Sequence, residues 1–125
     1  MKKHNLKNKK YSEKTLEKYI NSFNFDDWFH ISEYQSLSEE FIEKHSSKLD
    51  WYYISYSQKL SEEFIEKHSD KIGWYQISWS QKLSESFIEK HLDKLDINYL
   101  MENKNISKKI KNKVKKEINL LKEII

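Results

Sequence analysis

The sequence predicts an all-α fold: a small α-solenoid of tandem two-helix units, 23 residues each, closed by a longer C-terminal helix. Three observations predict it. Residues 37–59 (LSEEFIEKHSSKLDWYYISYSQK) and 60–82 (LSEEFIEKHSDKIGWYQISWSQK) share 18 of 23 positions, and 83–105 keeps the first half. The apolar positions hold the period beyond the close copies, as Leu37, Leu60, Leu83 and Ile106, and as Phe41, Phe64, Phe87 and Ile110. Similarity at a short fixed period marks units that bury their apolar faces only against neighbours. Finally, 125 residues contain one glycine and no proline or cysteine. That leaves little for hairpin turns or glycine-rich phosphate loops, and nothing for disulfides, Cys-type zinc sites or thiol nucleophiles. The pattern leaves open the hand of the superhelix, right or left, and the oligomeric state.

Residues 1–10 carry five Lys and no acid and read as a flexible basic leader. Residues 11–36 form a first, irregular unit: Tyr11-Ser12-Glu13 echoes LSE, with three extra residues before Trp28. Units 37–59, 60–82 and 83–105 follow. In each, Ser38, Ser61 or Ser84 is a natural N-cap, its hydroxyl accepting an orphan backbone N–H. Leu37 and Ile42 stand at hydrophobic-staple spacing, repeated by Leu60 with Ile65 and Leu83 with Ile88. Glu39 and Glu40 open the helix and Lys44 closes it, in the order the helix dipole favours. Leu37, Phe41, Ile42 and His45 make one stripe, and this helix is expected to stop around 46–48.

The second half of the unit, DWYYISYSQK, has the aromatic content of a strand. The repeat-invariant apolar pair, Trp51 and Ile54, is instead spaced i, i+3, and Asp50 is a good N-cap. A two-turn helix is expected. Residues 106–125 form the basic amphipathic capping helix, with Ile106, Ile110, Val114, Ile118, Leu121 and Ile125 as its stripe. Its basic face carries Lys108, Lys109, Lys111, Lys115 and Lys116. Because 14% of residues are aromatic, an aromatic-heavy core is expected.

The net charge of +3 conceals a segregation. The middle, 11–103, has ten Lys against eighteen acids, and 104–125 has eight Lys against Glu117 and Glu123. The chain is an acidic body between basic ends. No secretory core follows the lysines, and no apolar run approaches the roughly 18–20 residues that span a bilayer. A soluble, cytoplasmic protein is expected.

The unit LSEEFIEKHxDKxxWYxISxSQK resembles a short tandem repeat of hypothetical proteins from phages, giant DNA viruses and low-GC bacteria. The resemblance covers residues 11–105, closest in the two central copies. It implies an α-helical repeat fold and an origin in a virus or mobile element, in which case the host cytoplasm is the site of action. It carries no catalytic residues.

Catalytic chemistry finds few candidates. His45, His68 and His91 recur one repeat apart, about 10 Å if the helices pack as neighbours, too far to share a metal bound at about 2 Å. His4 and His30 have no ligand-like partners in sequence. Adjacent acids such as Glu39 and Glu40 point to different sides of a helix. No enzyme activity, cofactor or metal is expected.

Binding is the expected role. The two close copies differ at Ser47/Asp70, Leu49/Ile72, Asp50/Gly73, Tyr53/Gln76 and Tyr56/Trp79. Leu49/Ile72 reads as core. Tyr53, Tyr56, Gln76, Trp79, Ser47 and Asp70 are the candidate partner-binding residues, Tyr and Trp being the types that anchor interfaces. The expected partner is a protein whose surface the chain occludes, such as a basic nucleic-acid-handling effector. The sharpest form is a phage- or mobile-element-encoded inhibitor of a host system, of anti-CRISPR or other anti-defence type. The alternative is a nucleic-acid-binding accessory protein using the Lys-rich ends and exposed aromatics. Against that alternative stand the absence of Arg and the acidic charge of the body. A membrane-surface role for the terminal helix competes with its use as a cap.

Overall fold

The computed structural model describes residues 5–124; all its regular elements are helical, and no strand occurs among the described residues. The elements are α1 (Glu13–Lys18), a 3-10 turn (Ile20–Ser22), α2 (Phe25–Tyr34), α3 (Glu39–Lys44), α4 (Trp51–Ser57), α5 (Glu62–Lys67), α6 (Trp74–Ser80), α7 (Glu85–Lys90), α8 (Ile97–Glu102) and α9 (Lys108–Ile124). Most have six or seven residues. Helices that short are unstable alone in water, so packing and capping hold them.

The caps follow the repeat. Ser12, Ser38, Ser61 and Ser84 each accept an N–H from the first turn of α1, α3, α5 and α7. Two of these serines also tie units together. The Ser38 N–H and hydroxyl both donate to the Glu13 carboxylate, and those of Ser61 donate to Glu39. The first helix is shorter than its expected end at 46–48. It stops at Lys44, and the His45 carbonyl accepts from the N–H groups of Lys48 and Leu49, closing a turn that buries Leu49.

The aromatic second halves are helices, as their spacing predicts. Asp50 accepts from the N–H groups of Tyr52 and Tyr53, and Asp96 from that of Tyr99. In the first unit the three extra residues extend α2 ahead of Trp28, under a capping box of Asn24 and Asp27. Gly73 is the odd N-cap, with no side chain to offer. Its φ of −87° matches that of Asp50, so no special conformation requires glycine there. A Cβ would lie 1.9 Å from Gln76 Oε1, the far end of a flexible side chain. Gly73→Asp should therefore stabilise the protein by about 0.5–1 kcal/mol, from the restored cap and a stiffer unfolded chain. Urea melting of the single variant checks this.

The described chain forms two compact units, 5–72 and 73–124, the division falling inside the third repeat between α5 and α6. In the first, α2 packs against α4; in the second, α6 packs against α8 and α7 against α9. The core differs from the aromatic-heavy expectation. Its completely enclosed apolar side chains are aliphatic, namely Leu16, Ile31, Ile42, Ile54 and Ile65 in the first unit, and Ile77, Ile88 and Leu100 in the second. Phe41, Phe64, Phe87 and Trp28 flank them, whereas many tyrosines lie outside.

Polar side chains thread this core. Ser32, wholly buried, donates to the Trp28 carbonyl and accepts the N–H of Asp50; Ser78 does the same with Trp74 and Asp96. Gln58, also buried, donates through Nε2 to the carbonyls of Ser32 (3.0 Å) and Gln35 (2.6 Å) at the end of α2. Its Oε1 accepts the Leu37 N–H at 3.0 Å. One amide thus satisfies two carbonyls at the end of α2 and an N–H of the connection to α3. Asn103 repeats the donor half in the second unit, to Ser78 and Gln81 at 2.8 Å each, while its oxygen accepts locally from Asn105.

The same rung reorders the start of the chain. The leader was expected to be flexible; Met1–His4 lie outside the described residues, but residues 5–10 are tied down. Gln35 donates to the carbonyls of Leu6 (2.6 Å) and Lys9 (2.7 Å) and accepts the Tyr11 N–H (2.9 Å). Leu6, Lys9 and Tyr11 thereby stand where Ser32, Gln35 and Leu37 stand toward Gln58. Residues 5–10 imitate the closing turn of a preceding unit, with Leu6 only 1% exposed.

At the other end α9 covers its stripe only in part. Ile106 and Val114 are buried, Ile110 and Ile118 half-buried, and Leu121 and Ile124 exposed; Ile125 lies outside the described residues. Lys108, Lys109, Lys115 and Lys116 are exposed and Lys111 is half-buried, while Lys113 pairs with Glu85 at 3.3 Å.

Candidate functional site

Each histidine of the repeat sits at the end of its first helix between aromatic rings. His45 lies 5.5 Å from Trp28 and 4.6 Å from Phe41, and His68 lies 5.3 Å from Trp51 and 4.4 Å from Phe64. His91 lies likewise between Trp74 and Phe87. His45 Nε2 meets Glu17 at 2.6 Å and His68 Nε2 meets Glu43 at 3.1 Å, with Lys44 and Lys67 on the same carboxylates. These contacts join one repeat to the next within the first compact unit. Among the described residues, no group of three or more His, Cys, Asp or Glu is placed to hold a metal ion. Among the described residues, no helix is long and apolar enough to cross a membrane.

The carboxylates predict opposite responses to pH. The hydrogen bond from His45, and the bonds from Lys67 and His68, hold Glu17 and Glu43 below the ordinary carboxylate value. Their contribution to stability is complete above that value and is lost as pH falls through the depressed one. Glu117 is raised, chiefly by its hydrogen bond with Glu89 and also by burial and the charges of Glu89 and Glu85. Its contribution is present in acid and lost as pH rises through the raised value. Glu117→Gln should therefore raise Tm at neutral pH, and the gain should shrink to nothing in acid where the pair shares a proton. Thermal melts of both proteins across pH check the sign.

The exposed chemistry lies on the second helices. With Ile54, Ser55 and Gln58 turned inward, the 3.6-residue period puts positions 52 and 56 outward and leaves Tyr53 half-buried beside them. In the first unit Phe29 meets Tyr53 edge-on at 4.5 Å, and Tyr52 meets Tyr53 at 4.9 Å. Tyr52 is 53% exposed and Tyr56 45%. In the second unit Tyr99 receives Tyr75 at 5.8 Å and Trp79 at 5.3 Å, both edge-on, and Tyr75 is 60% exposed. These rings contact one another, with Phe29 and Tyr53 half-buried and Tyr52, Tyr75, Trp79 and Tyr99 exposed to solvent.

Acidic groups border the first patch. The Tyr34 hydroxyl, hydrogen-bonded to the Glu33 carboxylate, is held above its usual value. The Tyr53 hydroxyl is raised too, first by burial and then by the charges of Glu33, Tyr52 and Asp50.

The six candidate partner residues divide accordingly. Tyr53 and Tyr56 share the face of α4, and Trp79 is exposed against Tyr99. Gln76 is half-buried and folds over Gly73, so the Asp50/Gly73 and Tyr53/Gln76 differences are one coupled change at a helix start. Ser47 and Asp70 are exposed in the turns that follow α3 and α5. Comparing copies for differences misses Tyr52 and Tyr75, which are identical, and Phe29 and Tyr99, which lie in divergent units. The outward helical positions would have found them. No protein-family profile, curated protein or solved structure matches the chain.

Proposed function

We propose that this chain is a non-enzymatic helical-repeat protein, an α-solenoid of two-helix units, that acts by occupying the surface of a protein partner. One observation carries the reading: solvent-exposed aromatic rings on the second helices of both units, Tyr52 braced by Tyr53 in the first and Tyr75 and Trp79 by Tyr99 in the second. Rings held by neighbours lose little side-chain freedom on binding, which makes them efficient anchors. The resemblance of the repeat to phage and giant-virus sequences supports the narrower form, an inhibitor of a host system of anti-CRISPR or other anti-defence type. The acidic body then docks on a basic channel and excludes nucleic acid by charge and shape. Binding of the purified protein to a nuclease effector, with and without guide RNA at two salt concentrations, tests it. Absence of binding in every condition overturns the inhibitor reading.

The exposed lysines of α9 favour a second reading, a nucleic-acid-binding accessory protein. A single-stranded oligonucleotide that binds with a steep salt slope, lost when Lys108, Lys109, Lys115 and Lys116 are replaced by Gln, distinguishes it.

A further inference from the structure

We propose that the α2–α4 face receives a cationic segment of the protein partner, whose lysine or arginine side chains lie over Phe29, Tyr52, Tyr53 and Tyr56 beside the Glu33 and Asp50 carboxylates. The inference rests on the protein-binding reading above and names the partner's chemistry.

The chain's own use of lysine is informative. Lys9 stands over Tyr11 at 5.5 Å, Lys18 over Tyr19 at 5.5 Å, and Lys71 over Trp51 at 6.0 Å. In the second unit Lys94 stands over Trp74 at 5.5 Å. Among the described residues, no lysine of the chain stands over any of the four rings of this face. The chain's own lysines thus show the ring–cation geometry that a partner's cation would adopt on Tyr52 and Tyr56, which are exposed.

The electrostatics point the same way. The Asp50 carboxylate stands at the start of α4, accepting the N–H groups of Tyr52 and Tyr53, and the charges of Glu33 and Asp50 both reach the Tyr53 hydroxyl. A ring face attracts a cation through its quadrupole, and a carboxylate at its edge adds charge of the favourable sign. The same carboxylates repel phosphate, so this face is unsuited to the nucleic acid that α9 attracts. Arginine fits best, because its planar guanidinium stacks on a ring while bonding a carboxylate.

Fluorescence anisotropy with labelled deca-arginine and labelled oligothymidylate, on the full chain at low and physiological ionic strength, tests the face. Deca-arginine should bind more tightly than oligothymidylate to a variant whose α9 lysines are replaced by Gln. The double variant Tyr52→Ser/Tyr56→Ser, unchanged in net charge, should weaken deca-arginine about ten-fold, from roughly two- to five-fold per ring. Glu33→Gln should weaken it more than Glu63→Gln, an exposed acid on α5. Circular dichroism checks folding, and Tyr52→Leu/Tyr56→Leu, which keeps apolar area but removes the quadrupole, repeats the test if the serine variant unfolds. Equal affinity for wild type and ring variants overturns the inference, as do equal losses in the two Glu variants. An effector that binds wild type and ring variant equally also overturns it, while leaving the protein-binding reading intact. Ring-dependent deca-arginine binding without any effector binding overturns only the inhibitor.

Discussion

Gln58→Met should destabilise the protein by about 3 kcal/mol and lower Tm by roughly 10 °C. Methionine nearly matches glutamine in volume, so packing changes little. What disappears is an amide that serves the Ser32 and Gln35 carbonyls and the Leu37 N–H. Each buried backbone group left without a partner costs about 1–3 kcal/mol, and three are orphaned together. Against a total stability of about 5–15 kcal/mol, such a loss is large. Urea and thermal unfolding followed by circular dichroism measure it, with Lys59→Met at the exposed neighbouring position as control. A Gln58→Met loss no greater than the control's would show that the rung is incidental.

Leu6→Ala should cost about 2–3 kcal/mol, the range of a buried leucine truncated in a core. Leu6 belongs to a lysine-rich stretch that composition marks as expendable, yet it is as enclosed as the repeat isoleucines. Lys7→Ala, one residue on and exposed, should leave stability within about 0.5 kcal/mol of wild type. Equal stabilities for the two variants would return residues 5–10 to the status of a free leader.

The contrast between these positions shows what the sequence could reveal. Helix starts were legible because Ser38, Ser61, Ser84 and Asp50 act on N–H groups two or three residues away, within one motif. The staple leucines and isoleucines were legible because their spacing is the helix period. Gln58 was not, since an isolated glutamine reads as a surface residue and its partners are carbonyls 23 and 26 residues back. Its invariance beside Ile54 was the available hint. The leader failed for the same reason, because what holds it is Gln35, far along the chain. Among the exposed aromatic residues, Tyr56 and Trp79 were legible as positions that differ between the two close copies, whereas Tyr52 and Tyr75 are identical and gave no such signal.

The glutamine rung has an evolutionary consequence. Through these bonds the side-chain amides of Gln35 and Gln58 grip main-chain atoms, which every residue type supplies. A joint of that kind is indifferent to which copy of the repeat comes before it. Tandem near-identical coding sequence is prone to unequal recombination, which inserts or deletes whole copies. In this chain such an event, if it preserves the 23-residue phase, rebuilds the joint it cuts. A gain or loss of one whole copy in that phase would leave the amide with main-chain partners, whichever aromatic residues the copy presents outward.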